Sequence, residues 1–422
     1  MDKFKLSSKY ESGAYNVWIE YNQLAAITKP LNLGQGFPDY EPPARITNFL
    51  AEVASEKNLY FHQYTRGLGH VRLVNVLSKL YSSLINREIN PMEEVLVTVG
   101  AYEALFCVVQ GNINEGDEAI IIEPFFDCYE PLIRIAGGTP RFIPLRNTKP
   151  DAPVSHSSDW KLDPAELESL FNSKTKLIIL NTPHNPLGKI FDYDELTMIA
   201  DLAKKHNVLV VSDEVYEWLV YEPSKHIRIA TLPDMWERTI TIGSAGKTFS
   251  MTGWKLGWAY GPSNLMKNLF VVHQTAIYTC ATTVQEAVAR GFEHEINLLD
   301  TPDSYFQNLS HELKPKMEYL SKVLQKNGFK PIIPDGGYFM VADWSKLESK
   351  LDLSSETDKY KDFQFTKWLS KNIKFQCMPY SVFFSENSRP TAESYTRFCF
   401  FKKDETLKKA DSILTAWTSN IL

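Results

Sequence analysis

Apolar and polar positions change their rhythm along the chain, and the changes mark its parts. Residues 14–28, AYNVWIEYNQLAAIT, carry apolar side chains at the spacing of a short amphipathic helix that Lys29-Pro30 would end. A turn-rich stretch follows, Leu33-Gly34-Gln35-Gly36-Phe37-Pro38-Asp39 and then Pro42-Pro43. Helical spacing returns over 44–57 and 70–86, separated by a polar, glycine-bearing loop at 60–69 that holds Tyr64 and Arg66. From about 94 to 262, short apolar runs alternate with amphipathic stretches, the pattern of a parallel sheet wrapped by helices. Residues 303–327 put Phe306, Leu309, Leu313, Met317, Leu320 and Leu324 on one helical face, with a kink expected at Pro315. Residues 348–362 are charged and Ser-rich and predict a mobile excursion. Alternation resumes at 395–401 before a closing helix. The expected fold class is α/β: a large domain over 44–302 with a mostly parallel central sheet wrapped by helices. A smaller α+β domain is expected from both chain ends, 1–43 and 303–422.

Each apolar run of the middle region leads into polar chemistry. Residues 95–99 run into Gly100-Ala101-Tyr102, and residues 119–122 into Glu123-Pro124-Phe125-Phe126. Residues 177–180 run into Asn181-Thr182-Pro183-His184-Asn185-Pro186-Leu187-Gly188. After a helix predicted from Asp192, with Glu195 as its capping-box partner, residues 208–211 run into Ser212-Asp213-Glu214-Val215-Tyr216. The fifth run, 239–242, leads into SAGKTFSMTGWKLGW, residues 244–258, with Lys247 and Lys255. In open α/β sheets ligands bind beyond the carboxyl ends of the strands. An aromatic, an amide, a carboxylate, a phenol and a lysine all fall there.

A lysine behind a strand end suggests either phosphate holding or amine attack on a carbonyl. Gly246-Lys247-Thr248 resembles the tail of an ATP-binding P-loop, but that motif needs a glycine at 241, where threonine stands. The paired glycines at 34 and 36 do not continue into the dinucleotide fingerprint either.

Composition narrows the partners. The chain has 422 residues, enough for two domains, and a net charge of −6 without a basic run, which argues against nucleic acid. No apolar stretch approaches the roughly 20 residues of a membrane span. The start, MDKFKLSSKYESG, lacks the apolar core of a secretory signal and the arginines of a mitochondrial leader. A cytoplasmic location is expected, with the mitochondrial matrix open if that start is a processed or trimmed end. The five cysteines (Cys107, Cys128, Cys280, Cys377, Cys399) are scattered and suit free thiols in the core. No His or Cys pair stands at metal spacing, so no metal is expected.

A lysine amine, a carboxylate, an amide, a phenol and a phosphate cradle together suit pyridoxal 5'-phosphate. Its aldehyde bonds to lysine, its phosphate seeks a helix N-terminus with hydroxyls and cations, and its ring nitrogen needs a carboxylate to stay protonated. Asn181-x-Pro183-x-Asn185-Pro186-x-Gly188, Asp213-x-x-Tyr216, Ser244-x-x-Lys247 and Lys255 resemble the fold-type-I aminotransferases of the aromatic and kynurenine branch. EPFFDCYEP, SAGKTFSMTGWKLGW and RFCF add to the resemblance, which covers about 32–402.

The resemblance implies that Lys247 carries the cofactor and then moves a proton as acid and base. It implies that Asp213 pairs with the ring nitrogen, that Asn185 and Tyr216 hydrogen-bond the ring oxygen, and that Phe125 stacks on the ring. Ser244, Lys255 and the backbone of Ala101 and Tyr102 would hold the phosphate. Lys255 stands where many relatives carry arginine, so a point charge replaces a fork. Arg397 would clamp the substrate α-carboxylate, with Trp18 and the Gly36 backbone on its other side. A homodimer with shared active sites is implied, Tyr64 arriving from the second subunit and Tyr278 with Thr279 lying near the neighbour's pocket.

Plainer readings stand beside these. A loop lysine is usually a solvated charge, Asp213 caps or turns, Asn185 shapes its turn, and Arg397 forms a structural ion pair. Trp18 reads equally as helix core, Tyr338 and Phe339 as core, and His184 as a loop residue. The expected reaction is transamination of kynurenine, glutamine and aromatic amino acids with 2-oxo acids, converting kynurenine to kynurenic acid. Cysteine-S-conjugate β-lyase chemistry in the same site is one alternative, and a catalytically silent binding module is another.

Overall fold

Strand-forming runs that are apolar on both faces must be covered on both faces, and the chain does this around one twisted sheet. The computed structural model describes residues 4–13 and 16–422. Strands β1 (Val95–Thr98), β2 (Glu118–Glu123), β3 (Thr139–Pro144), β4 (Thr175–Asn181), β5 (Leu209–Asp213), β6 (Thr239–Ser244) and β7 (Gly257–Tyr260) are ordered β1-β7-β6-β5-β4-β2-β3. All pairings are parallel except the two made by β7.

Five of these strands were legible as apolar runs, whereas β3 and β7 were not. β3 carries Pro140 and Pro144 and reads as a loop, yet it lies at the sheet edge, where a missing N–H is tolerated. β7 is four residues long and begins on a glycine inside the lysine-bearing stretch.

The helices used below are α1 (Val17–Thr28), α2 (Gly100–Asn112), α3 (Tyr193–His206), α4 (Ser263–Ala276), α5 (Tyr305–Lys326) and α6 (Lys361–Asn372). At α1 the Asn16 side chain accepts from the N–H groups of Trp18 and Ile19, and Lys29 closes the helix in the left-handed conformation. Residues 14 and 15 of the expected helix lie outside the described residues. α3 starts on the expected box: Asp192 accepts from the Glu195 N–H at 2.9 Å, and Glu195 accepts from the Asp192 N–H at 3.2 Å. α5 runs on through Pro315.

Strands β8 (Lys330–Ile333), β9 (Phe339–Asp343), β10 (Met378–Pro379) and β11 (Tyr395–Cys399) form a second sheet ordered β10-β11-β9-β8. Ser155–His156 adds a parallel edge to β8, so a piece from within 44–302 joins this sheet. Leu31–Asn32 pairs in parallel with Phe375–Gln376. α1 docks on α6 through Tyr21 to Thr366 (2.5 Å) and Thr28 to Ser370 (2.8 Å). In register, Arg397 of β11 lies opposite Val341 on one side and Met378 on the other.

Segment 348–362, expected to be mobile, is instead tied to α6. Lys371 pairs with the buried Glu356 at 2.7 Å and Lys367 with Asp358 at 2.5 Å. Its polar composition reflects these ion pairs rather than free motion.

β7 crosses directly over the start of α2. A Cβ at Gly257 would sit 2.5 Å from the Ala101 nitrogen and 2.6 Å from the Gly100 carbonyl carbon, with backbone unable to yield. Gly257→Ala is therefore expected to cost about 1–3 kcal/mol, read as a lower thermal midpoint. An unchanged melting curve would show that the two backbones are not packed this closely.

Candidate active site

The carboxyl ends of β1, β4, β5 and β6 face the second sheet across a cleft of about 390 Å³. At one end α2 begins on Gly100, whose φ of 73° suits glycine, and its first-turn N–H groups are a ready anion seat. The β6–β7 pairing sets Ser244 opposite Gly257, and Gly257 touches Ala101, so strand, helix start and hydroxyl converge. The exposed Lys255 adopts the left-handed conformation, and a Cβ on Gly100 would lie 3.4 Å from its Nζ. Ala101, Tyr102, Ser244 and Lys255 all line this end.

Deeper in, Asp213 ends β5. Its Oδ2 accepts from the Tyr129 hydroxyl at 2.6 Å, and burial pushes its carboxyl up to about 6. The Asn181 side chain donates to the Asp213 carbonyl at 2.9 Å and accepts from the Asn185 N–H at 2.7 Å, locking the end of β4 to the end of β5. Asn185, Asp213 and Tyr216 line the cleft.

Phe125 does not line it. That ring is buried against Phe142 at 5.6 Å, because the Phe125 N–H is captured by the Phe383 carbonyl at 2.7 Å. The neighbouring Phe126 faces the cleft instead. Two adjacent phenylalanines left that choice open in the sequence.

Lys247 sits in the short helix Ala245–Thr248 behind β6. Its Nζ donates to the Tyr338 hydroxyl at 2.5 Å, and Tyr338 donates to the Gly36 carbonyl at 2.9 Å. Burial lowers the Lys247 ammonium to about 8, and the cations Arg397 and Lys255 add to the fall. Tyr338 is thus both core and partner of the lysine, a role its apolar setting concealed.

Arg397 is 1% exposed, and burial lowers its guanidinium to about 10, still charged at neutral pH. Nη1 donates to Asn185 Oδ1 and Nη2 to the Gly34 carbonyl, both at 2.9 Å. Phe339, also read as core, lies 3.9 Å from the guanidinium carbon, and Trp18 lies 5.4 Å from it. Trp18, Gly36, Phe339 and Arg397 line this end together. A Cβ on Gly36 would strike the Phe339 ring at 2.5 Å. The buried Lys402 steadies the same loop by donating to the Phe37 carbonyl at 2.7 Å.

Tyr64 and Tyr278 lie outside this cleft, both exposed, with rings edge-on at 5.6 Å. One cluster of possible metal ligands occurs among the described residues: Glu103, Cys107 and His273. Glu103 and His273 are directly hydrogen-bonded at 2.6 Å, and His273 Nε2 bonds the Gly67 carbonyl at 2.9 Å. The cluster braces the first turn of α2 to loop 60–69. All five cysteines are buried and unpaired, and no helix among the described residues is long and apolar enough to cross a membrane.

A cleft with a half-buried amine, a buried carboxylate behind an anion seat, and a buried guanidinium is the layout of an aminotransferase. The profile described as "Aminotransferase class I and II" matches residues 28–413, and the chain belongs to that family. It is an enzyme with the fold-type-I architecture, and class I and II aminotransferases depend on pyridoxal 5'-phosphate.

The chain is 52% identical to kynurenine–oxoglutarate transaminase 3 of Homo sapiens, over 99% of this chain and 91% of the relative. It is 45% identical to kynurenine–oxoglutarate transaminase 1 of Mus musculus, over 99% of each. Among solved structures, Bna3p from Saccharomyces cerevisiae superposes with a TM-score of 0.91 at 32% identity, covering 98% of this chain and 99% of that one. A Thermus thermophilus aspartate aminotransferase, at 23% identity and a TM-score of 0.82, shares the fold.

The position of Lys247 sets a pH dependence. An ammonium does not attack an aldehyde, so capture of pyridoxal 5'-phosphate by cofactor-free protein should slow about tenfold per pH unit below about 8 and level off above it. Borohydride trapping of the Lys247 peptide across pH measures this. A midpoint near that of a solvated lysine would refute the desolvation.

Proposed function

We propose that this aminotransferase moves the amino group of kynurenine, glutamine and aromatic amino acids to 2-oxo acids, turning kynurenine into kynurenic acid. The observation that carries the reading is how the cleft uses its cations. Among the described residues lining it the cations are Lys247, Lys255 and Arg397. The first two face the amine and anion seats, which leaves Arg397 for the α-carboxylate and no further cation for an acidic side chain. Trp18, Tyr102, Phe126 and Phe339 supply flat apolar walls for an aromatic one. The names of the human and mouse relatives support the same substrate class.

The donor set fits pyridoxal 5'-phosphate. Ser244, Lys255 and the α2 backbone at Ala101 and Tyr102 would hold its phosphate, Asp213 its ring nitrogen, and Asn185 with Tyr216 its ring oxygen. When bound, that group supplies the electron sink for bond cleavage at the substrate Cα. Asp213, which burial alone would leave partly protonated near pH 6, would be held ionised by the ring cation when the cofactor is bound. Arg397 binds the α-carboxylate and fixes which Cα bond is presented. Lys247, with its ammonium drawn close to neutrality, takes the proton from the substrate Cα and would hand it on to the cofactor's aldehyde carbon C4′, as moving the amino group requires. Tyr338, hydrogen-bonded to Lys247 and to Gly36, orients that amine.

The protein works as a homodimer in this reading. Tyr64 and Tyr278 are exposed and outside their own cleft, and Glu103 with His273 braces the loop that carries Tyr64 to α2 through the Gly67 carbonyl, as residues serving the partner's cleft would be.

Arg397→Ala should raise KM for amino donors and 2-oxo acids alike by roughly ten- to a hundredfold. A loss confined to one half-reaction would refute the clamp. Kynurenine, glutamine, phenylalanine, glutamate and a cysteine S-conjugate, each paired with several 2-oxo acids, rank the donors. Strong preference for the acidic donor would overturn the aromatic reading.

Mixing Lys247→Ala and Tyr64→Phe proteins under conditions of proven subunit exchange should restore activity through hybrid dimers. No recovery would count against a shared site.

A further inference from the structure

Trp18 and Arg397 come from opposite ends of the chain and meet over the clamp, where the indole faces the guanidinium. An indole has one hydrogen-bond donor. Trp18 uses it on Asp127, whose Oδ2 accepts at 2.8 Å.

Asp127 belongs to the other wall of the cleft. It follows β2, directly after Phe126, which lines the cleft, and two residues before Tyr129, which holds Asp213. Whereas Tyr21 and Thr28 tie α1 to α6, Trp18 reaches across to the large domain.

The energetics of Asp127 are those of a group kept for its geometry. The residue is half-buried, its Oδ1 is shut off from solvent with no partner among the described residues, and no cation lies in ion-pair contact with it among them. A carboxylate so placed and served by one N–H does not stabilise a fold, and an apolar side chain of similar size would serve stability better. Its one strong interaction is the charge-assisted bond to the indole, which fixes the ring's tilt as well as its place. The same ring flanks Arg397, which also meets Asn185 and Phe339.

We propose that Asp127 is a positioning residue for substrate: by holding the Trp18 indole against Arg397 it shapes the seat of the α-carboxylate. The proposal rests on the reading of Arg397 as the carboxylate clamp. Both amino donor and 2-oxo acid present that carboxylate, so loosening the seat weakens ground state and transition state equally and appears in KM rather than kcat.

The test uses the cofactor-loaded enzyme. Asp127→Ala should raise KM for donor and acceptor together by about tenfold with kcat within about threefold. Asp127→Asn, which keeps an acceptor for the indole, should stay within about threefold of the parent in KM. Trp18→Phe keeps a ring but loses the donor. The double variant Asp127→Ala/Trp18→Phe should be no worse than Trp18→Phe alone by more than about twofold, because both remove one bond.

Multiplicative effects in the double variant would overturn the proposal, as would an unchanged KM in Asp127→Ala. Should Asp127→Ala fail to fold, an unchanged KM in Trp18→Phe overturns it equally. If Arg397→Ala raises KM while Asp127→Ala does not, this proposal alone falls. If neither does, the clamp falls and the proposal with it.

Discussion

Three ionisable groups are drawn away from water in one cleft, Asp213 and Arg397 buried and Lys247 half-buried, and none of them forms an ion pair among the described residues. Asp213, Lys247 and Arg397 are each pushed by burial toward their neutral forms, to about 6, about 8 and about 10. A protein that wanted only stability would bury apolar groups there. Keeping the three apart demands neutral hydrogen-bond partners for each: Tyr129 for the carboxylate, Tyr338 for the amine, and Asn185 with the Gly34 carbonyl for the guanidinium. The desolvated charges are then available to two molecules of matching pattern, a cofactor with a cationic ring and an aldehyde, and a substrate with a carboxylate.

The two sheets divide this labour. Strand ends of the parallel sheet present Asn181, Asp213 and Ser244 at one edge, and Asn181 holds Asn185 in the loop just beyond, because neighbouring parallel strands finish together. The second sheet supplies Arg397, Tyr338 and Phe339 from two adjacent antiparallel strands and the turn before one of them. α1 adds Trp18 from the far end of the chain. The anion-seat end depends on β7, the one strand running against its neighbours in that sheet, which lays Gly257 on the first turn of α2.

Much of this was legible in the sequence for a definite physical reason. Residues whose place follows from a strand end, such as Asn185, Asp213, Ser244 and Lys247, sit directly after apolar runs that mark themselves. Residues whose place follows from long-range folding did not. Tyr129 meets Asp213 across 84 positions and Tyr338 meets Lys247 across 91; Tyr338 read locally as a core aromatic, and nothing near Tyr129 singled it out. The choice between Phe125 and Phe126 turned on a backbone bond to Phe383 that no local pattern announces. Segment 348–362 looked free because its partners on α6 follow it in the chain. The edge strand β3 was masked by its prolines, and β7 by the chemistry of the stretch that contains it.

The register of β11 has a consequence for how the chain tolerates insertion and deletion. Arg397 is set by main-chain ladders on both sides, opposite Val341 and Met378. Adjacent side chains on a strand point to opposite faces. One residue gained or lost between 395 and 397 would therefore swing Phe398 or Thr396 over the cleft and turn the guanidinium to the far side. The connection at 380–394 lies outside that ladder, but Phe383 within it holds the Phe125 N–H and flanks Arg397, so only its exposed part near 386–391 has room to change length while the arginine stays where it is.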